Sequence, residues 1–460
     1  MMNFFNTTTG RPSHTKTERL IVASLILSTL ALPLLTQAGQ PPTKQHPRYK
    51  LIDLGSFGGP NSTVGGETQS VNNRGVMVGA AETAIPDSFA PNCFSPNCLV
   101  QHAFQWKDGV LTDLGALSAG AGSYAIWINE RGDIAGLSEN GVIDPLTGIP
   151  EAVAVLWSGG EIINLGTLGG NGSIAIQVNN RGQVVGGAAN AIPDEFSLSP
   201  ILGNPFFTTQ TRAFLWENGV MQELGTLGGP DSSAWFVNER GQVAGVSYTD
   251  SLPNDTTGLP TLHPFLWESG RMLDLGSLGG AFCGTDGLNN RGAVVGFMNL
   301  TGDEFHHPFL WDRGTLTDLG TLGGSNGEAV AINKAGEVAG VADLPDGSHN
   351  AFLWKNGVMT DLGNLGATSF AHAINSKGQV VGASRVSRVP SQISAFLWEK
   401  GGPMIDLNTL IPPNSSLHLA FAEHINDRGE ISGTGVPPGV SVDDVETLGH
   451  AFLLIPISEK

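Results

Sequence analysis

Three ionisable side chains occupy the same place in a repeated sequence pattern. Asp286, His372 and Glu423 each lie three residues before an asparagine, and His424 directly follows Glu423. A carboxylate beside an imidazole can transfer protons to and from a substrate, as general acids and bases do in hydrolases and lyases. We favour a simpler interpretation, in which these groups are buried or solvent-lined without chemistry. At the same place the other copies have Gln69, Ile126, Ile176, Trp235 and Val330.

The remaining sequence contains no motif that specifies catalysis. It lacks a zinc-protease HExxH, a G-x-S-x-G nucleophile elbow, a phosphate-binding loop and an EF-hand loop. We therefore expect no catalytic residues, no cofactor and no metal. A hydrolase or lyase with an acidic site remains the alternative, because a fold alone does not exclude an enzyme.

The asparagines belong to a unit that recurs eight times, as in HPFLWDRGTLTDLGTLGGSNGEAVAINKAGEVAG from His307 to Gly340. Short apolar runs bounded by Gly and Asn predict four strands in each copy. We label them A (ending in Asn), B (the Val-Ala-Gly run), C (ending in Trp) and D (containing Asp-Leu-Gly). A glycine follows each asparagine by three residues, which predicts an Asx turn between A and B. A ring of ligand-binding asparagines is the weaker alternative. The eight asparagines are Asn72, Asn129, Asn179, Asn238, Asn289, Asn333, Asn375 and Asn426.

The acidic residue of the Asp-Leu-Gly segment is present in seven copies, and Asn164 takes its place in one. We expect each carboxylate to cap backbone N–H groups of the following loop, rather than to form a ring of cation ligands.

The strand pattern predicts an all-β fold in which sheets pack face to face around an axis. The C strands are apolar at three successive positions, so both of their faces must be covered. Side chains four residues before the asparagines are small, which places strand A nearest the axis. Together these features predict a β-propeller with strand A innermost and strand D outermost. The small residues are Thr68, Ala125, Ala175, Ala234, Thr285, Ala329, Ala371 and Ala422.

The two ends of the repeat region predict how the propeller closes. The chain opens with a lone D strand at 51–55 and ends with A, B and C strands at about 420–454. Pairing of Leu51–Gly55 with Phe452–Leu454 completes an eighth blade and removes two exposed sheet edges. We therefore predict an eight-bladed propeller of four-stranded blades spanning residues 49–456.

The repeats resemble a known family. HAFQW at 102–106, together with the DLGTLGG and INxxGxVVG segments, is similar to the HAF repeat of predicted extracellular bacterial proteins. The resemblance covers nearly all of the repeat region and implies export, but it implies no activity. Val153, Arg212, Asn350 and Ser394 depart from the histidine of this motif, which argues against that histidine as a shared ligand.

The N-terminus is typical of an exported protein. Residues 1–38 combine a basic segment, an apolar run from Leu20 to Leu35 and a small-residue cleavage site, which predicts a signal peptide followed by a linker at 39–48. We expect an extracellular or periplasmic monomer without membrane insertion after cleavage. In such a compartment Cys93 and Cys98 are expected to form a disulfide, whereas Cys283 is expected to be a small buried thiol. The net charge of −19 argues against nucleic acid as a partner.

Long connections between strands B and C predict the surface where function lies. They fall at 80–101, 137–152, 187–211, 246–262 and 434–449. Their phenylalanines could either contact a partner or anchor the loops to the blades. We predict a secreted binding or scaffold module for a glycan or protein ligand. The candidate contact residues are Phe89, Phe94, Phe196, Phe206, Phe207 and Phe305.

Overall fold

The computed structural model describes residues 47–66, 68–91, 93, 95–145, 148–198, 209–387 and 391–457. Within this part of the chain, 32 strands form eight four-stranded antiparallel sheets, which confirms the predicted eight-bladed propeller. The predicted signal peptide, and the predicted linker up to residue 46, lie outside the described residues. The first strand begins at Arg48, one residue before the predicted start of the propeller.

Each blade runs from an inner strand A to an outer strand D. Blade 1 contains β2 (Gly58–Thr63), β3 (Met77–Pro86), β4 (Leu99–Lys107) and β5 (Val110–Asp113). Blade 2 contains β6 (Ser123–Ile128), β7 (Ile134–Ile143), β8 (Pro150–Ser158) and β9 (Glu161–Gly166). Blade 3 contains β10 (Ser173–Val178), β11 (Val184–Pro193), β12 (Thr209–Glu217) and β13 (Val220–Glu223). Blade 4 contains β14 (Ser232–Val237), β15 (Val243–Tyr248), β16 (Leu262–Glu268) and β17 (Arg271–Asp274).

The second half of the ring repeats this order. Blade 5 contains β18 (Gly279–Leu288), β19 (Val294–Leu300), β20 (His306–Asp312) and β21 (Thr315–Asp318). Blade 6 contains β22 (Gly327–Ile332), β23 (Val338–Asp343), β24 (His349–Lys355) and β25 (Val358–Asp361). Blade 7 contains β26 (Thr368–Ile374), β27 (Val380–Ser387), β28 (Gln392–Trp398) and β29 (Ile405–Asp406). Blade 8 contains β30 (His418–Ile425), β31 (Ile431–Val436), β32 (His450–Ile457) and β1 (Arg48–Asp53).

Helix is nearly absent from the described residues. It is limited to 3₁₀ turns at Leu407–Thr409 and Val442–Asp444 and to one short helix, α1 (Val445–Leu448). No helix in this part of the chain has the length and apolarity that a membrane crossing requires.

The ends of the chain close the ring as predicted. Strand β1 pairs antiparallel with β32 from Arg48↔Ile457 to Asp53↔Phe452, with Leu51 opposite Leu454. Tyr49 is buried with the core between blades 7 and 8, whereas Leu54 packs with the core between blades 8 and 1. Strand β1 and the residue that follows it therefore join three blades.

The eight asparagines close the A-to-B turns and also link neighbouring blades. Asn72 Oδ1 accepts hydrogen bonds from the N–H groups of Arg74 and Val76, as the predicted Asx turn requires. Asn72 Nδ2 donates to the carbonyl oxygen of Asn129 in the next blade at 3.0 Å. The same bond recurs around the ring and returns from Asn426 to Asn72 at 2.9 Å. The side-chain amides are thus committed to a closed ring of hydrogen bonds.

A second link between blades depends on one serine. The hydroxyl of Ser232 accepts a hydrogen bond from the N–H of Ala213 and donates to the carbonyl oxygen of Gly225, both in the preceding blade. The equivalent serines of blades 1, 2, 3 and 7 accept the same bond. Blades 4 and 5 have Pro264 and Pro308 at the donor position, and prolines have no N–H. The residues facing these prolines, Cys283 and Gly327, accordingly have no hydroxyl. Cys283 is a buried free thiol, as expected from the sequence.

The B-strand glycines leave room for the carbonyl oxygens of strand A and the phenylalanine rings of strand C. A Cβ built on Gly340 would collide with the carbonyl oxygen of Glu328 and lie 2.7 Å from the Phe352 ring. Gly347, in contrast, has a φ of +80° and open space around a Cβ. Its replacement by alanine therefore strains only the backbone.

We expect Gly340→Ala to lower the free energy of unfolding by about 3 kcal/mol, because neither the strand backbone nor the enclosed ring can move away. The matched Gly347→Ala variant should lose only about 1 kcal/mol, from its left-handed backbone. Chemical denaturation of both variants measures the difference. Equal losses would show that the close approach at Gly340 relaxes easily.

Two expectations about strand positions are wrong. Thr68 does not hold the small inner position of blade 1, because Ser62 and Thr63 pair with Ala81 and Ala80, so Val64 holds it and 65–68 are inserted. The insertion was hidden because Thr68 has the expected spacing from Asn72. The B-to-C connections are also shorter than predicted: β3, β7 and β11 continue past a register shift to Pro86, Ile143 and Pro193.

Candidate functional site

The candidate channel residues sit on β-bulges. In blade 7, Ala371 pairs with Gly382 and Ala373 with Val381, so His372 is left out of the ladder. The same register shift isolates Asp286 in blade 5 and Glu423 in blade 8. A bulge releases one residue from strand pairing and redirects its side chain. The residue three positions before the asparagine therefore differs from its neighbours in these three blades, because it is not paired with strand B.

The structure joins two of the predicted residues and separates the third. His372 Nδ1 lies 3.0 Å from Glu423 Oε2, and both side chains are mostly buried, at 16% and 13% exposure. His372 Nδ1 also lies 3.2 Å from the carbonyl oxygen of Ala422. Asp286 stands two blades from His372, with the Val330 blade between them. The arrangement is an imidazole–carboxylate pair rather than a three-residue cluster.

Tyr124 lies near this pair. Burial raises the pKa of its phenol well above the usual range, a hydrogen bond with Thr63 opposes this effect, and the charge of Glu423 adds to it. Tyr124 is therefore a neutral hydrogen-bonding group at neutral pH and not an activated nucleophile.

A pocket of about 430 Å³ occupies the A-to-B end of the central channel. Its lining residues fall between four residues before and one residue after the eight asparagines, which confirms that strand A is innermost. Trp127 and Phe236 supply aromatic surface on one side, whereas Asp286, His372 and His424 supply polar groups on the other. The pocket therefore combines apolar and hydrogen-bonding walls, as small-molecule sites do.

Amides and carboxylates alternate around five blades of the pocket rim, and a lysine, a serine and a carboxylate complete it. Glu130 accepts from the N–H and Nδ2 of Asn73, with Nδ2 to Oε1 at 2.7 Å. The N–H of Glu130 in turn donates to Asn180 Oδ1 at 2.8 Å, and Asn180 Nδ2 donates to Glu239. Asp427 accepts from the N–H of Ser376, and its own N–H donates to Asn73 Oδ1. The rim is thus ordered by hydrogen bonds before any ligand arrives.

His424 directly follows Glu423 in strand A and lines the central pocket. Loss of hydration lowers the pKa of its imidazole to about 4, an effect that the charge of Asp427 partly opposes. Because the ordinary value is near 6.5, the unfolded chain binds a proton here at a pH where the folded protein does not.

We therefore expect acid to destabilise the fold through His424. The free energy of unfolding should fall by roughly 1–3 kcal/mol from this residue between about pH 6.5 and 4, with the full loss present below that window. His424→Gln should unfold with a correspondingly weaker pH dependence. Denaturation at a series of pH values measures this, and identical pH profiles for both proteins would contradict it.

The structure places the candidate contact phenylalanines in different environments. Phe94, Phe206 and Phe207 lie outside the described residues, so their predicted contact role stays a prediction. Phe196 packs against the core that contains Leu198 and Tyr248, which is the anchoring role. Phe305 is 39% exposed, and Phe89 is half-buried. The predicted disulfide between Cys93 and Cys98 is present in the blade 1 loop.

The acidic residues of the Asp-Leu-Gly segments have the expected capping role. Asp318 Oδ1 accepts from the N–H of Gly320 at 2.8 Å, and equivalent bonds recur in blades 1, 4, 6 and 8. The sequence interpretation missed their partners in strand C: His307 Nδ1 lies 2.9 Å from Asp318. The eleven-residue spacing that signals this pair also gives Arg212–Glu223 and Asn350–Asp361. No group of three or more His, Cys, Asp or Glu in the described part of the chain is arranged to hold a metal ion.

Comparison with known proteins gives fold-level similarity only. No family model and no curated protein matches the chain. Among solved structures, the acylaminoacyl peptidase of Pyrococcus horikoshii matches over 82% of this chain and 58% of its own, with a TM-score of 0.42 and 12% identity. The puromycin-hydrolysing peptidase of Mycobacterium tuberculosis matches over 90% and 63%, with a TM-score of 0.45 and 13% identity. The β-propeller domain of the trilobed protease from Pyrococcus furiosus matches over 78% and 95%, with a TM-score of 0.39 and 10% identity. This chain thus spans about three-fifths of the two peptidases. At this distance neither activity nor ligand transfers to it.

Proposed function

We propose that the protein is a secreted binding module that takes a glycan in the central pocket on the A-to-B turn face. The observation that carries the proposal is the pocket itself, with Trp127 and Phe236 on its wall and amides and carboxylates at its rim. Sugars present apolar ring faces together with many hydroxyl groups. Aromatic surfaces and paired hydrogen-bond donors and acceptors are suited to both.

The distribution of polar groups favours binding over catalysis. Repeated side chains are committed to the scaffold: the ring asparagines join blades, and the Asp-Leu-Gly acids cap turns. The rim acids Glu130, Glu239 and Asp427 are hydrogen-bonded to neighbouring blades. Ordered groups of this kind bind a ligand at a low entropic cost, because they are already in place. Export remains part of the proposal, supported by the N-terminal sequence and the disulfide.

The site is tested by comparing variants of the two faces of the propeller on an array of neutral and acidic glycans. Trp127→Ala removes the larger of the two aromatic side chains of the pocket wall, and we expect it to weaken glycan binding at least about tenfold. Phe305→Ser on the B-to-C face is the control and should bind like the parent protein. Circular dichroism and thermal melting check that both variants are folded. The reverse ranking would place the site on the B-to-C loops, and binding to envelope proteins alone would replace glycan with protein as the ligand.

A lyase or hydrolase is the second candidate, and the His372–Glu423 pair favours it. A carboxylate at 3.0 Å can orient an imidazole for proton transfer. If the pair catalyses a reaction, the protein should cleave a bound oligosaccharide, and His372→Asn should abolish cleavage while leaving binding intact. Unchanged oligosaccharide after prolonged incubation with the parent protein would eliminate this candidate.

A further inference from the structure

The two faces of the propeller differ in charge, although the whole chain is strongly acidic at −19. The loops between strands B and C contain acids in seven of the eight blades, and in those seven blades they contain no lysine or arginine. The acids of this face are Asp87, Asp144, Asp194, Glu195, Asp250, Asp255, Asp303, Glu304, Asp346, Asp443, Asp444 and Glu446.

The A-to-B turns, in contrast, contain basic residues as well as acids, which are Glu130, Asp133, Glu239, Glu337, Asp427 and Glu430. Each of the eight blades places one basic residue in its A-to-B turn, one or two residues after the ring asparagine, and all eight side chains are exposed. In blade 6 the second residue after the asparagine is Ala335, and the basic residue is Lys334, one position earlier. Of the eight, Lys334 lines the central pocket, and each of the others directly follows a residue that lines it. The eight are Arg74, Arg131, Arg181, Arg240, Arg291, Lys334, Lys377 and Arg428.

Only part of this basic ring is neutralised by its neighbours. Arg131 lies 3.7 Å from Asp133, and Arg428 lies 3.0 Å from Glu430. Arg240 pairs with Glu268 at 3.7 Å, and Lys334 pairs with Asp427 at 2.9 Å. The Arg240–Glu268 and Lys334–Asp427 pairs are accessible to solvent on both sides, so they are weak and can exchange for a ligand anion. Among the described residues, Arg74, Arg181, Arg291 and Lys377 have no ion pair.

Packing explains the arginines only in part. Arg131 and Arg428 donate to the turn carbonyl oxygens of the following blades, Asn180 and Asn73, but at 3.4 Å. Bonds this long and this exposed contribute little. The four ring residues Arg74, Arg181, Arg291 and Lys377 have no carboxylate partner among the described residues, so their charges are available to pair with a bound anion.

We infer that the pocket mouth binds an anionic glycan, with acidic substituents on the basic ring and sugar hydroxyls on the rim amides and carboxylates. This inference rests on the proposed glycan-binding function and specifies its ligand. The net charge of the protein disfavours a long, densely charged polymer such as nucleic acid, because the acidic face repels it beyond the contact zone. A glycan with about one charge per sugar fits the combination of a basic ring and an uncharged aromatic wall.

The test compares two quadruple variants with the same change in net charge. The first neutralises the four unpaired ring residues: Arg74→Gln, Arg181→Gln, Arg291→Gln and Lys377→Gln. The matched control neutralises four exposed residues in or beside the C-to-D turns of the same face, farther from the axis: Lys107→Gln, Arg271→Gln, Arg313→Gln and Lys400→Gln. Binding is measured for oligogalacturonate, heparin fragments, polyphosphate, double-stranded DNA and neutral dextran, each at low and physiological salt. Melting temperatures show whether the variants are folded.

We expect the parent protein to bind oligogalacturonate or heparin fragments better than dextran, with affinity that falls as salt rises. The ring variant should lose at least about tenfold in that affinity, and the C-to-D control less than about twofold. Preference for oligogalacturonate assigns a carboxylate ligand, and preference for heparin assigns a sulfate ligand. Equal losses in the two variants, or DNA or polyphosphate bound more tightly than either glycan, would overturn the inference. Tight binding of neutral dextran alone would overturn it while leaving the proposed glycan-binding function intact, and no binding of any glycan would remove both.

Discussion

Removal of β1 should unfold the propeller. A chain that begins at residue 57 loses Tyr49 and Leu54 from two inter-blade cores, together with the half-buried Leu51 and Ile52. Burial of such side chains contributes about 1.5–3 kcal/mol each. The total is comparable with the 5–15 kcal/mol by which domains are usually stable. It also exposes the edge of β32 to aggregation. We expect loss of cooperative thermal unfolding, measured by calorimetry.

A chain that begins at residue 47 is the matched control, and it should melt like the full-length protein because β1 starts at Arg48. Addition of a peptide spanning residues 47–57 should restore cooperative melting of the shorter chain, which separates loss of closure from irreversible misfolding. A chain beginning at residue 57 that melts like its control would refute closure by β1.

The second large effect should come from replacing the side-chain amide nitrogen of one of the eight ring-forming asparagines by oxygen. Asn179 Oδ1 accepts from the N–H groups of Arg181 and Gln183, and Nδ2 donates to Gln183 Oε1 and to the carbonyl oxygen of Asn238. Asn179→Asp keeps the acceptor but places a buried carboxylate against two oxygens. We expect a loss of roughly 2–4 kcal/mol at pH 7. The loss should shrink as pH falls, because the protonated carboxyl can donate one of the two bonds.

Asn254→Asp is the control for this prediction. Asn254 Oδ1 also closes an Asx turn, accepting from the N–H of Thr256, but within a loop of one blade. An aspartate forms such a turn equally well, so this variant should cost under about 1 kcal/mol. Equal costs at both sites in urea denaturation would mean that the ring asparagines act only as turn formers.

Local patterns predicted most of this fold because each repeat has a physical requirement at a fixed spacing. Three apolar residues in strand C predicted sheets covered on both faces, and the lone D strand at the start predicted closure. Contacts between copies were harder to predict. Nothing in a single repeat shows that Asn72 donates to Asn129, because the partner is 57 residues away and its side chain is not involved.

The site was only partly predictable for the same reason. Position alone identified His372 and Glu423, but only the bulges explain why their side chains leave the ladder. The basic ring could have been recognised in the sequence, since arginine follows six of the eight asparagines by two residues. It was obscured by the acidic net charge of the chain, which averages over two faces of different composition. The insertion at 65–68 was hidden by chance spacing of Thr68.

Hydrogen exchange with and without a saturating glycan tests the central claim most directly. The probe is the array glycan that binds best, with an oligogalacturonate as the expected choice. We expect slowed exchange in the eight A-to-B turns, including those at Asn129, Asn238 and Asn375, with little change in the B-to-C loops. Slowed exchange confined to the B-to-C loops would contradict it and move the binding site to the acidic face.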